Sequence, residues 1–218
     1  MQLPFTAEQF RAVFRDYNST LWPAQLFLLA LAVTAVVLVV WPRRWSGVGV
    51  SAILAFLWAW MGIAYHFAFF TSISPPAYGF AAVFVAGALV FVWQGVVRRR
   101  LEFRWVAGGR GVMALLLVAF AFIVYPAWSY VAGHPYLETP TFGLPCPTTI
   151  FTMGLLALLV RPYPRSPFVV PVLWSLVGAQ AAFLLAVPQD LALVVVAVLG
   201  FVLIARSDRS GAPARGFS

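Results

Sequence analysis

Residues 21–41 of the chain read LWPAQLFLLALAVTAVVLVVW, and this stretch decides the class of the protein. Twelve of these residues are leucine, phenylalanine or valine. Each such residue favours insertion into a bilayer by about 0.3 to 0.6 kcal/mol. At a rise of about 1.5 Å per residue, a helix of this length covers the ~30 Å hydrocarbon core of a membrane. The stretch therefore predicts a transmembrane helix.

The composition of the whole chain also indicates a lipid environment. Of its 218 residues, 63% are hydrophobic and only 9% are charged, whereas a soluble domain carries about 25% charged residues. All fourteen basic residues are arginine, which excludes lysine chemistry such as Schiff-base cofactors. The single cysteine, Cys146, excludes a disulfide scaffold. We expect the lipid bilayer as the main partner and no nucleic-acid binding.

Seven apolar stretches are separated by arginine clusters, glycine-proline turns and polar loops. They cover residues 21–41, 48–70, 76–97, 111–132, 145–160, 168–187 and 189–205. Unpaired backbone groups are costly in hydrocarbon and the runs lack the alternation of barrel strands, so each should be helical. We predict an all-α integral membrane protein with a bundle of seven transmembrane helices over 21–206. The residues 207–218 are expected to form a disordered cytoplasmic tail.

The arginines predict the orientation of the bundle. Twelve of the fourteen follow the first, third, fifth or seventh stretch and so fall on one side, while the acidic residues Glu8, Asp16, Glu138 and Asp190 fall on the other. By the positive-inside rule the arginine side is cytoplasmic. The expected location is the bacterial cytoplasmic (inner) membrane, with the N-terminus outside and the C-terminus in the cytoplasm.

Residues 1–20 are typical of an amphipathic surface helix. Thr6 and Gln9 have the spacing of a capping box, and Phe5 and Phe10 stand at the positions of a hydrophobic staple. Such a helix would lie flat on the outer leaflet or fold over the outer mouth of the bundle as a lid.

Glycines recur every eight residues in the third stretch, at positions 79, 87 and 95. Glycine at a helix interface permits close approach of a neighbouring helix. The spacing therefore predicts a packing face.

The fifth stretch is preceded by TPTFGLPCPTTI, residues 139–150. Prolines at 140, 145 and 147 do not fit inside a regular helix, so the helix is expected to begin near Pro147. From Pro147 to Arg161 is about 14 residues, or ~21 Å, which is short of a ~30 Å core. We therefore predict a broken fifth span, reached by an extended segment that protein or a water-filled cavity must surround.

The start of this short helix is a candidate site. It would place Cys146 at the cap, with Thr148 and Thr149 in the first turn, beside free N–H groups and the positive end of the helix dipole. A thiol there would be nucleophilic or metal-binding. The alternative is a proline-rich turn in which Cys146 is a small buried apolar residue.

Further polar residues fall at a similar depth. Asp190 opens the seventh stretch, where a carboxylate is a functional candidate, although capping explains it equally well. His66 and His134 are the only histidines; paired on facing helices they could ligate a haem or, with Cys146 and Asp190, a metal such as zinc or copper. The alternative for each histidine is a hydrogen bond to a neighbour such as Tyr65 or Tyr136.

These residues support three hypotheses. The first is a small-solute or ion permease, or a channel subunit, with an outward-facing recess. Such a protein could act as a homo-oligomer. Its recess would be lined by Cys146, Thr148, Thr149, Asp190, Tyr65, His66 and Tyr125.

The second is a membrane-embedded metal- or haem-binding redox protein or enzyme using Cys146 and the histidines. The third is an assembly or lipid-packing subunit, which predicts a filled recess. The absence of Walker, Rossmann and serine-elbow fingerprints favours a non-enzymatic function.

Four segments carry a resemblance to a known family: residues 4–10, 22–25, 141–149 and 187–190, which read PFTAEQF, WPAQ, TFGLPCPTT and VPQD. Together they resemble a family of small bacterial multi-pass integral membrane proteins of unknown function. The resemblance extends over all seven stretches, and it implies neither a catalytic residue nor a substrate.

Overall fold

The computed structural model describes residues 4–133, 135–185 and 187–207. Within these residues the chain is built of helices and contains no β-strand. The predicted all-α fold is therefore confirmed. Two predictions lie outside the described residues, namely the ligand role of His134 and the tail beyond residue 207.

The α-helices are, in chain order, α1 Ala7–Thr20, α2 Ala24–Val40, α3 Ser46–Trp60, α4 Ala77–Phe91, α5 Gly109–Ala119, α6 Tyr125–Val131, α7 Pro145–Leu156, α8 Ser166–Gly178, α9 Ala181–Leu184 and α10 Ala192–Ala205. Three π-helical segments continue or join them: Met61–Phe67 after α3, Val92–Val97 after α4 and Phe120–Val124 between α5 and α6. Short 3₁₀ turns cover Phe70–Ser72, Tyr136–Glu138 and Pro188–Leu191.

Five continuous helical runs in the described chain are long and apolar enough to cross a membrane. They are Ser46–Ser72, Ala77–Val97, Gly109–Val131, Ser166–Leu184 and Pro188–Ala205. A sixth is reached only if α1 and α2, which are bent by 87°, count as one broken span. The predicted count of seven is not confirmed, because α7 has 12 residues and is only ~18 Å long.

Helix α7 is the central element of the bundle. It packs against α5, α8 and α10, and each of its residues except Cys146 is buried. It begins at Pro145 rather than near Pro147, so Leu144 is the N-cap and Cys146 lies inside the first turn. The prediction of Cys146 at the cap was wrong, because the first-turn N–H groups have no intrahelical acceptors and prolines there lose no hydrogen bond.

The extended segment before α7 is buried as expected. Gly143 has a φ of +100°, and a Cβ atom at this position would lie 2.3 Å from Leu28 Cδ1. Glycine is therefore required both by the backbone conformation and by the contact with α2. The Gly143 N–H donates to the Thr148 hydroxyl at 3.0 Å, which ties the segment to the first turns of α7.

At the other end of α7, arginines gather around the chain. Arg110 donates from Nε to the Ala157 carbonyl at 3.0 Å and from Nη2 to the Leu159 carbonyl at 2.7 Å, just beyond the last residue of the helix. The backbone of Arg104 bonds that of Leu158 at 3.1 Å. A cavity of about 670 Å³ at the same end is lined by Arg43, Arg44, Arg99 and Arg104. We call this the arginine end and the opposite one the α1 end.

The predicted start of α1 is confirmed in detail. Thr6 N–H donates to Gln9 Oε1 at 2.8 Å and Gln9 N–H donates to Thr6 Oγ1 at 3.2 Å, which completes the capping box. The Phe5 and Phe10 rings are 5.9 Å apart, as a staple requires. The buried face of α1, including Phe10, Phe14 and Tyr17, lies on the bundle.

The glycine repeat is a packing face at two of its three positions. A Cβ atom at Gly95 would lie 2.1 Å from Ser51 Cβ, and one at Gly87 would lie 3.0 Å from Trp58 Cε3. A Cβ atom at Gly79 would meet nothing within 4 Å. Within this repeat, close helix approach therefore occurs at Gly87 and Gly95, whereas Gly79 is exposed.

Candidate functional site

A recess of about 240 Å³ lies at the α1 end of the bundle. We call it the recess, and its walls are mainly apolar. Its aromatic lining comes from four parts of the chain and consists of Phe5, Phe10 and Phe14, Tyr65 and Phe70, Phe80, and Trp174. Since one water occupies about 30 Å³ of liquid, the recess has room for roughly eight waters or a small solute.

Three polar side chains in the recess form what we call the polar cluster: Tyr125, Cys146 and Asp190. The Tyr125 hydroxyl donates to Asp190 Oδ1. The Cys146 thiol lies within interaction distance of both groups, and of the Trp174 indole. These three groups come from α6, α7 and the turn before α10, so the cluster exists only when the helices are packed.

Asp190 is 2% exposed and makes no capping hydrogen bond. The interpretation of this residue as a helix cap is therefore wrong; its carboxylate turns to Tyr125 instead. The next residue back, Gln189, donates to Ser129 Oγ at 2.7 Å and so fixes the turn against α6. Among the residues that the structure describes, no arginine or histidine forms an ion pair with Asp190.

His66 is fully buried beside the recess, on the π-helical segment that follows α3. Neither Nδ1 nor Nε2 has a hydrogen-bond partner. Its ring neighbours are aromatic, with Phe84 at 4.6 Å and Trp174 at 5.1 Å between centroids. Buried polar atoms are normally paired, so two unpaired ring nitrogens at a cavity wall mark a place where a ligand or water can bind.

Helix α1 covers the recess as a lid. The Asn18 amide donates to the carbonyls of Leu137 at 2.8 Å and Thr139 at 2.9 Å, and its Oδ1 accepts from Thr141 Oγ1 at 2.8 Å. Trp60 Nε1–H donates to the Tyr17 hydroxyl at 2.7 Å. The lid is therefore held by polar bonds at its C-terminal end and by aromatic packing along its length.

An ion pair adds to the lid on its exposed side. Arg15 pairs with Glu138, and Arg11 Nε lies 3.8 Å from Glu138 Oε2. The Glu138 carboxylate raises the pKa of Arg15, so the guanidinium stays charged.

The recess brings together five of the seven residues predicted from sequence, namely Tyr65, His66, Tyr125, Cys146 and Asp190. Thr148 and Thr149 are buried in α7 and are not among the residues that line it. Thr148 instead accepts the Gly143 N–H. The Thr149 hydroxyl has no hydrogen-bond partner.

A metal or haem site finds little support in the described part of the chain. No group of three or more histidine, cysteine, aspartate or glutamate side chains there is arranged to hold a metal ion. The predicted second histidine, His134, lies outside the described residues.

Sequence reasoning missed the aromatic part of the site. Trp174 lies in the middle of an apolar helix and carries no motif, while Phe10 was expected only as a staple residue of the amphipathic helix. The aromatic residues of α1 could have been found from the expectation that this helix folds over the bundle as a lid. A lid presents its apolar face to the cavity that it covers.

Comparison with known proteins gives a family and no activity. No curated protein and no solved structure matches the chain. Residues 7–214, nearly the whole chain, match the model of DUF6064, a family of unknown function. The chain therefore belongs to the DUF6064 family.

Proposed function

We propose that the protein is a multi-pass membrane protein that binds a small solute in the recess, as the binding site of a permease. The observation that carries this proposal is an unfilled cavity with polar groups inside mainly apolar walls. Ligand sites commonly combine such walls with a few placed polar groups. At about 240 Å³ the recess suits a small solute rather than a large one.

Membrane insertion is supported by the outward faces of the long helices. Large apolar side chains are exposed on α2, α4, α5 and α10, such as Leu26, Leu89, Leu116 and Val198. Water would disfavour these contiguous apolar faces, whereas lipid would accommodate them. With the positive-inside rule, the arginine end would be cytoplasmic and the α1 end, with the recess, would face outward.

The recess also supports the permease hypothesis over the packing-subunit hypothesis. A subunit that acts only by lipid packing or assembly predicts a filled recess, and aromatic side chains line this cavity without filling it. Within the described residues, no group of three or more ligating side chains supports the version of the redox hypothesis that needs a protein-bound metal ion.

A permease requires a second conformation. Between the recess and the arginine end the bundle is sealed by fully or almost fully buried side chains that include Trp58, Phe91 and Phe168. A bound solute would therefore have to shift the population toward a state in which this packing opens.

The test fills the recess. Ala181 lines it, so Ala181→Trp should occlude it, while Phe183→Trp places the same side chain where the native residue is 77% exposed. Purified protein would be screened for thermal stabilisation and for uptake into liposomes with sugars, amino acids, inorganic ions, anions and organic amines.

We expect at least one solute class to stabilise the wild-type protein and the Phe183→Trp variant but not Ala181→Trp. Binding and flux at background for every class would contradict the proposal. Binding that is equal in both tryptophan variants would show that the solute binds elsewhere.

A further inference from the structure

The walls of the recess form an aromatic cage around an acidic side chain. Phe10 and Phe14 from the lid are 4.6 Å apart, and Phe80 and Trp174 on the opposite side are 5.5 Å apart, between ring centroids. Aromatic faces attract cations that come within about 6 Å of the ring centre. A site lined by several aromatic rings can therefore favour positive charge where a ring face is presented to the ligand.

Among the residues that the structure describes, Asp190 is the only carboxylate that lines this cage, and no arginine lines it. Its described partners, the Tyr125 hydroxyl and the Cys146 thiol, are uncharged donors. A buried carboxylate is costly unless a cation pairs with it. Elsewhere in the described chain, Glu138 pairs with arginines and Glu102 with Arg104, which leaves Asp190 as a buried carboxylate without such a partner.

Other ligand classes fit these walls less well. An anion would meet Asp190 with no arginine in the lining. A hard metal ion prefers six or more oxygen ligands, and a transition metal several nitrogen or sulfur ligands, whereas the described residues contain no group of three such side chains. A neutral solute would leave Asp190 with its hydrogen-bond donors but without a cation.

We infer that the solute bound in the recess is a small organic cation, an alkylamine or a quaternary ammonium compound, held by the aromatic cage and paired with Asp190. This inference rests on the proposed function, since it requires that the recess binds a solute. The ammonium group would lie between Trp174 and the lid, and the unpaired nitrogens of His66 would serve a polar substituent.

The only cysteine of the chain lines the recess and makes a direct experiment possible. Three methanethiosulfonate reagents of matched chemistry differ in charge: the trimethylammonium-ethyl form is cationic, the sulfonatoethyl form is anionic and the methyl form is neutral. Each rate of Cys146 modification in the folded full-length protein is divided by the rate of the same reagent with a free thiol in solution.

We expect the normalised rate of the cationic reagent to exceed that of the neutral one roughly tenfold, since paired charge and cation–π attraction each contribute to binding. Asp190→Asn should bring this ratio close to one. Asp16→Asn, which removes an exposed aspartate from the outer side of α1, should leave the ratio unchanged. Choline should also protect Cys146 better than 3,3-dimethylbutan-1-ol, its uncharged isostere.

A second substitution keeps the test decisive if Asp190→Asn does not fold. Phe14→Leu removes an aromatic face of the cage, whereas Phe27→Leu removes a phenylalanine that is 55% exposed on α2. Only the first should lower the cation preference.

The outcomes separate the two proposals. Equal normalised rates for all three reagents, or a cation preference that survives both Asp190→Asn and Phe14→Leu, would overturn the organic cation and leave a solute-binding recess. Failure of every reagent to modify Cys146 in the folded protein would overturn the recess as a binding site as well.

Discussion

The two ends of the bundle are built differently although the same helices run through both. At the arginine end Arg110 binds the carbonyls that follow α7, Gly95 lets the segment after α4 come close to α3, and the cavity is lined by arginines. At the α1 end Gly79 has open space beside it, and a recess separates the lid from the polar cluster.

The short helix α7 accounts for this difference. Its C-terminal end is sealed by polar bonds from the loop 98–110, while its N-terminal end is reached by a segment that enters as non-helical chain. The contrast teaches that the recess lies at the end of α7 where the chain enters as a non-helical segment, opposite the end where arginines bind the carbonyls that follow the helix.

The largest loss of stability is expected from a cavity in the buried core between the recess and the arginine end. Trp58 is fully buried and donates from Nε1 to Thr152 Oγ1 at 3.1 Å. Trp58→Ala should lower the free energy of unfolding by about 3–5 kcal/mol, because it leaves a large cavity and removes the hydrogen bond to Thr152, whose hydroxyl keeps only its bond to the Thr148 carbonyl. Denaturant unfolding in detergent measures this. Trp93→Ala, at a residue that is 50% exposed, is the matched control, and equal losses in the two variants would contradict a sealed core.

A glycine pair tests the two ends on one helical run. Gly95→Ala should cost about 1–3 kcal/mol, since the new methyl group overlaps Ser51. Gly79→Ala meets open space and should be neutral or stabilising by up to about 1 kcal/mol, because alanine is the better helix former. Both values come from the same unfolding assay. A loss at Gly79 as large as that at Gly95 would remove the proposed difference in packing.

The lid should loosen when its polar attachment is cut. Asn18→Ala removes hydrogen bonds to Leu137, Thr139 and Thr141, at an expected cost of about 1–2 kcal/mol. Cys146 should then react several-fold faster with the neutral thiol reagent. Ser19→Ala is the control, because the Ser19 hydroxyl bonds only within α1. A rate that Asn18→Ala leaves unchanged would show that α1 does not control access.

The smallest effect is expected from the exposed ion pair of the lid. Arg15 is 52% exposed, and such pairs contribute little at ordinary ionic strength. Arg15→Gln should leave the unfolding free energy within the error of the assay and the Cys146 rate nearly unchanged. A marked increase in that rate in the variant, reproduced in the wild type by high salt, would assign the closure of the lid to charge rather than to Asn18 and the aromatic rings.

Much of the fold followed from local signals. The capping box at Thr6 and Gln9 is a short-range pattern, and the apolar stretches end within a few residues of the observed helices because charged residues bound them. The prolines correctly indicated a short fifth helix but misplaced its start by two residues, since proline is tolerated throughout the first turn.

The site was harder to predict because its parts are distant in sequence. Polar residues of the recess could be chosen by their expected depth in the membrane, and this criterion correctly grouped Tyr125, Cys146 and Asp190. The same criterion also selected Thr148, whose hydroxyl instead accepts the N–H of Gly143 in the segment before α7. Trp174 was missed, since an aromatic residue in an apolar helix gives no sign of which neighbour it will contact. Which face of each helix lines the cavity depends on packing angles that no local pattern encodes.

The central claim is that a recess beneath α1 opens at the end opposite the arginines. Modification of Cys146 by the membrane-impermeant cationic reagent, added to sealed vesicles of either orientation, tests this most directly. The account predicts reaction from the α1 side alone, and loss of that reaction in Ala181→Trp. Reaction from the arginine side, or a thiol that reacts only after denaturation, would contradict it.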